Sequence, residues 1–196
     1  MKKLKKYKVC RRLGSPIFEK CQNQQFARSL SRKKMKRPNM STYNIQLLEK
    51  QKTRLGYGIS ERQLSRYVKE AVAEHGNPAV LLFQKLESRL DNVVYRLGLA
   101  KTRRMARQAV SHGHFAVNDK RTRVPSHSIR PGDKITIREG SRVSTMFSNL
   151  PERLKDYHLP EWLKFDINNL QGEVTARPTG KEEVAGLDAV LEFYSR

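Results

Sequence analysis

The chain has 196 residues, and its 40 Lys and Arg against 19 Asp and Glu give a formal charge of +21 on 22.7 kDa. Such a chain repels itself and calls for a polyanionic partner, nucleic acid first and a membrane surface second. No apolar run approaches the roughly 18 to 20 residues that a bilayer span needs, and the basic amino terminus lacks the apolar stretch of a secretory signal, so a soluble cytosolic or organelle-interior protein with no membrane partner is expected.

The charge is unevenly spread. Residues 1–37 hold 14 Lys and Arg against Glu19 alone, a net of +13, and residues 85–138 hold 13 against 4, a net of +9. From Pro151 to Arg196 the sign reverses, with 9 acidic and 6 basic residues, so this part is expected to pack on the protein or meet a basic neighbour.

Residues 1–40 read as a basic arm. The runs MKKLKKYKVCRR and SRKKMKR hold too few apolar residues to fold alone, with only Leu4, Tyr7 and Val9 of any size in the first, and are expected to order on RNA. Their candidate phosphate contacts are Lys2, Lys3, Lys5, Lys6, Arg11, Arg12, Arg32, Lys33, Lys34, Lys36 and Arg37. Cys10 and Cys21 fall in this arm. Structural zinc needs four ligands and the first His is His75, while a reducing interior disfavours a disulfide, so two reduced thiols with no metal or cofactor are expected.

Residues 41–85 read as a helical domain. A first helix opens at Ser41 or Thr42, carries Ile45, Leu48 and Leu55 toward a core, and ends at Gly56 and Gly58. Ser60 and Gln63 form a capping-box pattern for a second, with Leu64, Val68, Ala71 and Val72 inside and Arg62, Arg66 and Lys69 outside. Arg62 and Arg66 are candidate RNA contacts, beside the plainer reading of a solvated helix face. A third helix opens at Asn77-Pro78 and is expected to run on into the next domain.

Residues 86–150 read as a compact helix-and-hairpin domain. Leu86, Leu90, Val93, Val94 and Leu97 form one apolar stripe that stops at Gly98. Thr102 caps a second helix that turns Ala106, Ala109 and Val110 inward and Arg103, Arg104 and Arg107 outward, a shared cationic surface. A His112-Gly113-His114 turn leads to strands Phe115 to Asn118 and Lys120 to Val124 around Asn118-Asp119, and Pro131-Gly132-Asp133 introduces a third strand, Lys134 to Arg138. Candidate RNA contacts here are Arg103, Arg104, Arg107, Gln108, Ser111, His112, Gly113, His114, Asn118, Lys120 and Arg121. Arg89 and Asp91 flank the apolar stripe, where pairing within the protein competes with phosphate contact. The His pair, split by a glycine, suits a turn better than acid–base chemistry or a metal.

Residues 151–196 are expected to wrap the domain. Pro160 breaks the preceding helix, Trp162 and Leu163 give an apolar anchor, and an extended GEVTARP follows. The terminal VLEFYSR is expected to form a strand or irregular segment returning Val190, Leu191, Phe193 and Tyr194 to the core.

The words RLDNVVYRLG, TR followed by AR, VSHGH, VN and PGD resemble, in that order, the RNA-binding domain of the small-subunit ribosomal protein four family of bacteria and organelles. STYNIQLLEKQKTRLGYGISERQ resembles the family's helical segment, and LPEWLKFD and VLEFYSR its closing segments, while the first forty residues match loosely. RNA-modifying enzymes borrow the small domain alone, so the flanking matches make the assignment specific. The resemblance implies an α+β protein: a basic arm and helical domain, then a small two-helix and β-hairpin RNA-binding domain and a wrapping carboxyl-terminal segment. It implies a structural constituent of the small ribosomal subunit, in the cytoplasm or an organelle interior, that clamps a multi-helix junction in the 5′ part of small-subunit ribosomal RNA early in assembly. It further implies a contact with ribosomal protein five that bears on translational accuracy, and places Arg32 to Arg37 near the messenger RNA entrance. Some members hold zinc with four cysteines where this chain has two, and others have none. Asp119 stands where the family usually has glycine, which bears on how tight the hairpin turn is.

No Walker loop, Rossmann glycine fingerprint, HExxH or nucleophile elbow is present, and 196 residues leave no room for a catalytic domain beside these segments, so no enzyme is expected. The competing readings are a free regulatory or stress-response RNA-binding factor and, more remotely, an RNA-modifying enzyme.

Overall fold

The computed structural model describes residues 5–34, 40–147, 150–154, 157–167 and 169–195. The chain forms two compact units, Met1–Ala79 with Lys181–Arg196, and Val80–Gly180. Among the described residues no helix is long and apolar enough to cross a membrane.

The first unit begins with α1 (Lys6–Leu13), a single 3-10 turn (Glu19–Cys21) and α2 (Gln24–Lys34). The arm therefore has helices and a small core of its own, contrary to the expectation from its two basic runs taken separately. Cys10 and Leu13 lie one helical turn apart and are buried, and Cys21 and Phe26 from the following segment join the thiol of Cys10 in one cluster. Neither run contains enough apolar surface alone; Phe18, Cys21 and Phe26 between them supply the rest. The free thiols are both fully buried, and burial, then the hydrogen bond with Cys10, pushes the Cys21 thiol up to about 12. These are inert, packed thiols.

In the same unit, α3 (Thr42–Gly56) is capped by the Ser41 hydroxyl and α4 (Glu61–Ala73) by the Ser60 hydroxyl, each accepting from a backbone N–H three residues on. Leu64, Val68 and Ala71 of α4 are buried as the spacing predicts, but Val72 is 61% exposed. On α3 the expectation also fails in part: Ile45 is 48% exposed, while Gln46 and Lys50 are buried. The reason is α10 (Lys181–Tyr194), a helix where a strand or irregular segment was expected, which packs on α3. Leu187, Val190, Leu191 and Tyr194 repeat at three and four residues, a helical period, and Leu187 and Val190 are buried. The Lys50 ammonium sits 4.1 Å from the centre of the Phe193 ring and donates to Glu61 Oε1 at 2.8 Å, so its burial is paired. Gln46 donates to Glu192 at 2.7 Å, and the Tyr194 hydroxyl donates to Glu61 at 2.7 Å.

Glu61 gives a pH prediction. Burial pushes its carboxyl up, but hydrogen bonds from Lys50 and Tyr194 and the charges of Lys50 and Arg54 outweigh it, and the pKa falls below its ordinary value of 4.5. The folded pKa being the lower, the stabilisation is complete above about pH 4.5 and disappears as pH drops through the folded value. Acid unfolding followed by circular dichroism should show Glu61→Gln to be destabilised at neutral pH and to converge on the parent below that window; parallel curves at every pH would contradict this.

The second unit holds most of α5 (Pro78–Glu87), then α6 (Leu90–Arg96), α7 (Arg103–His112) and a sheet. The expected continuous helix is broken: Arg89 is extended, with φ −68° and ψ 136°. Its neighbours leave the helical hydrogen-bond pattern to pair with the loop beyond the hairpin, Leu90 N–H donating to the His127 carbonyl and Ile129 N–H to that of Ser88, both within 2.9 Å. The apolar stripe survives the break because Leu86 ends one helix and Leu90 begins the next, and Leu86, Leu90, Val93, Val94 and Leu97 are all fully buried.

Strands β1 (Phe115–Val117) and β3 (Lys134–Ile137) fall where the sequence reading puts them, whereas β2 (Lys120–Arg121) stops short of the expected Val124, and the tail adds β4 (Leu163–Asp166) and β5 (Gln171–Val174). All five form one antiparallel sheet in the order β2-β1-β3-β5-β4, with Ala116 opposite Thr136 and Thr136 opposite Gln171. Phe115, Val117, Ile135 and Ile137 are buried with Leu90, Val93 and Val94 of α6, Leu97 just beyond it, and Ala106, Ala109 and Val110 of α7. Trp162 and Leu163 join the same core, and α8 (Glu139–Arg142) and α9 (Leu150–Leu154) complete the unit.

Gly172 on β5 is required by packing rather than by its backbone: a Cβ there would meet Leu97 Cδ1 at 2.5 Å. Gly172→Ala should lower stability by about 1–3 kcal/mol in denaturant unfolding, the usual cost of overpacking, and an unchanged midpoint would mean that β5 does not seat on α6 as described.

At the hairpin tip, Asn118 and Asp119 both have positive φ, 47° and 62°, as a two-residue turn of type I′ needs. The turn is therefore tight despite the aspartate. The Asn118 side chain reaches across to β3, accepting from Lys134 N–H at 2.9 Å and donating to Asp133 at 2.8 Å.

Candidate nucleic-acid interface

Helix α7 organises the cationic face. Thr102 accepts from Met105 N–H at 3.1 Å and starts the helix, and Gly113 ends it at φ 75°. Ala106, Ala109 and Val110 are buried, which turns Arg104, Gln108, Ser111 and His112 out to solvent. Arg107 is half-buried beside them, and the Ser111 hydroxyl donates back to its carbonyl at 2.9 Å.

Arg103 departs from the expected shared surface. It lies two turns from Val110 along the inner edge of the helix, and its guanidinium is held by the protein. Its Nε donates to Asn92 Oδ1 at 2.8 Å, its Nη2 lies 4.0 Å from Glu87, and it stacks 4.5 Å from the centre of the Tyr95 ring. Glu87 is the hub, its carboxylate only 1% exposed. It accepts two parallel bonds from Arg96, at 2.8 and 3.0 Å, and a third from Asn92 at 3.0 Å. A paired, hydrogen-bonded carboxylate of this kind ties α6, through Asn92 and Arg96, to Arg103 of α7. Sequence reading missed Glu87 and Arg96, since single charges in an apolar helix carry no signal of what they pair with.

Arg89 and Asp91, left between two readings by the sequence, are paired within the protein. Both are buried, and Arg89 donates through Nε and Nη2 to the two Asp91 oxygens at 3.0 and 2.8 Å.

The turn after α7 gathers further cations. Arg121 Nη2 donates to the His112 carbonyl and Arg138 Nη1 to that of Gly113, each at 3.3 Å. Gly113 makes room for this, because a Cβ would lie 2.6 Å from Arg121 Nε. Arg121 is exposed and shares its surroundings with Arg123 and Arg138, whose charges, after desolvation, lower its pKa. Arg142 is also exposed, its Nε donating to the Ile137 carbonyl at 3.3 Å. Arg138 and Arg142 were not singled out from sequence as site residues; their position at the end of β3 becomes visible only once the strand register is set. His114 has its Nδ1 3.0 Å from the Ser141 hydroxyl, and burial, then the charges of His112, Arg121 and Arg138, depress its pKa. Lys120 is exposed on β2, whereas Asn118 spends its side chain on the turn.

Beside this face a recess of about 320 Å³ opens between α7 and residues 145–146. Met105, Ala109 and Met146 wall it, and Gln108, His112, His114 and Thr145 supply its polar groups.

In the first unit, Arg11, Arg12 and Lys5 are exposed on and beside α1, and Lys6 lies 5.4 Å from the centre of the Phe18 ring. Arg32, Lys33 and Lys34 belong to α2, of which only the backbone is described there. Lys2, Lys3, Lys36 and Arg37 lie outside the described residues. Arg62 and Arg66 are both exposed on α4, Arg66 pairing with Glu70 at 3.4 Å. The anticipated set thus divides. Arg104, Gln108, Ser111, His112 and Arg121 come together around α7 and its following turn, and Arg103 is drawn into the protein.

The chain matches two family models, the ribosomal protein S4/S9 N-terminal domain over residues 2–87 and the S4 domain over residues 88–135. It is 43% identical over 197 residues to small ribosomal subunit protein uS4 of Roseiflexus sp. (strain RS-1), covering 96% of both chains. It is 48% identical over 159 residues to that of Persephonella marina, covering 80% of this chain and 78% of the relative. With the protein of Thermotoga maritima the identity is 38% over 200 residues, again covering 96% of each. An arginine-faced helix beside a tight hairpin, joined to a helical unit of matching sequence along nearly the whole length, places this chain in the small ribosomal subunit protein uS4 family.

Proposed function

We propose that this protein is a structural, non-catalytic constituent of the small ribosomal subunit, binding small-subunit ribosomal RNA at a multi-helix junction in its 5′ part. The observation that carries the reading is the exposed cationic surface of α7 and the following turn, set on a rigid core by Glu87 and Arg89. Its charge suits phosphates, and its rigidity suits folded RNA shape more than base sequence. Arg104, Arg107 and Arg121 are assigned to phosphate, with Gln108, Ser111, His112 and Lys120 beside them, and Arg103 to holding α7 in place. The basic residues of α1, α2 and α4 form a second contact zone, so that two cationic zones of one chain clamp RNA helices that otherwise repel.

Two finer assignments follow the same reading. Exposed Tyr43 and Ile45 on α3, with the Tyr43 ring centre 5.7 Å from that of Phe193 of α10, offer an apolar surface for a protein neighbour, for which we assign ribosomal protein five. The basic stretch Arg32 to Arg37 is assigned to the messenger RNA entrance, and the site of action is the small subunit in the cytoplasm or an organelle interior.

Binding to a transcript of the 5′ part of small-subunit ribosomal RNA should saturate at one protein per transcript, with affinity falling as a log–log slope of roughly 0.7 to 0.9 per phosphate neutralised. Equal affinity for an unrelated structured RNA would favour a free RNA-binding factor instead.

A further inference from the structure

We propose that the recess between α7 and residues 145–146 receives one unpaired nucleobase of the RNA whose phosphates lie on Arg104 and Arg107. This rests on the ribosomal RNA reading above. The geometry of α7 supports it. At 3.6 residues per turn, Arg107, Ser111, Arg104, Gln108, His112 and Met105 follow one another around the exposed side of the helix, so the cationic line grades directly into the mouth of the recess. A backbone held on the arginines is thus one side chain away from a cavity of about 320 Å³.

The lining suits a flat aromatic ring with a polar edge. Met105 and Met146 present thioethers, which pack well on aromatic faces, and Ala109 keeps the floor low. Gln108 offers both an amide donor and an acceptor at the rim. His114 is held by Ser141 through Nδ1, which leaves Nε2 as its remaining hydrogen-bonding atom, and its depressed pKa keeps the ring neutral at physiological pH. An edge-polar, apolar-walled recess beside a cationic surface favours a base over a phosphate, because phosphate gains most where the arginines are. Splayed-out bases in loops and junctions are the usual means by which proteins read RNA sequence.

The test uses the full chain and a transcript of the 5′ part of small-subunit ribosomal RNA. Gln108→Ala removes the amide from the rim, and Thr145→Phe, at an exposed position, fills the recess. Each should weaken binding about five- to tenfold, the scale of a lost hydrogen bond or stack, with the salt slope unchanged because no phosphate contact is removed. In a series of transcripts with single abasic sites, one position should weaken the parent protein by a similar factor and have no effect on Thr145→Phe. Folded variants that bind like the parent, or an abasic series in which no position is masked by Thr145→Phe, would overturn the nucleobase site while leaving the ribosomal RNA reading intact. Failure of the parent protein to bind the transcript would overturn both.

Discussion

Alanine at both Arg104 and Arg107 is expected to weaken binding to small-subunit ribosomal RNA by about one to two orders of magnitude at moderate salt and to flatten the log–log salt dependence by about 1.5 to 2. The two effects have one cause, since each lost phosphate contact removes both its attraction and the counterions it releases. Neither side chain is part of the apolar core, so unfolding should move little. Arg103→Ala should give the opposite pattern. It deprives Asn92 of a donor and Tyr95 of its stacked cation, which lowers stability, while the salt slope stays close to that of the parent. Filter binding across a salt series, with thermal unfolding on the same samples, separates the two. If Arg103→Ala flattens the slope as much as the double variant does, the division of labour on α7 is wrong.

Asp91→Ala should be among the most damaging single changes for stability. It leaves the Arg89 guanidinium, 1% exposed, without the carboxylate that takes two of its hydrogen bonds. Removing one partner of a buried pair typically costs about 3–5 kcal/mol, a large part of the stability of an ordinary domain. The loss should be local as well as global. Arg89 sits at the break between α5 and α6, where the chain pairs with residues 125–129, so amide exchange at Leu90 and Ile129 should accelerate ahead of the sheet. Replacing both residues by apolar ones of similar size should cost much less than Asp91→Ala alone. A double variant no better than the single would show that the break depends on charge pairing and not on filling the space.

Much of this architecture is written in local patterns. Hydroxyl caps at Ser41, Ser60 and Thr102 and the Asn118-Asp119 turn are short-range devices, and each is found where its pattern places it. The arginines of α7 were visible for the same reason, since three residues identify a helix face. Other features depend on partners distant in sequence. Nothing near Ile45 announces that α10 will cover the opposite side of α3, and nothing near Ser88 announces that residues 125–129 will take its backbone out of the helix. Arg103 was misplaced by a single angular step, because periodicity separates inside from outside but does not reveal a buried carboxylate at Glu87. The core of residues 5–34 escaped notice because its apolar residues are scattered between two charge runs. The recess at α7 needed both the helix and the segment at Thr145 and Met146 to be seen together.

The most direct test of the central reading is chemical footprinting of small-subunit ribosomal RNA with and without the purified protein at several salt concentrations. Saturable protection of one multi-helix junction in the 5′ part, lost for the Arg104 and Arg107 double variant at salt where the parent still protects, is the predicted result. Diffuse protection that disappears uniformly as salt rises, with no junction favoured, would contradict it and favour a free RNA-binding factor.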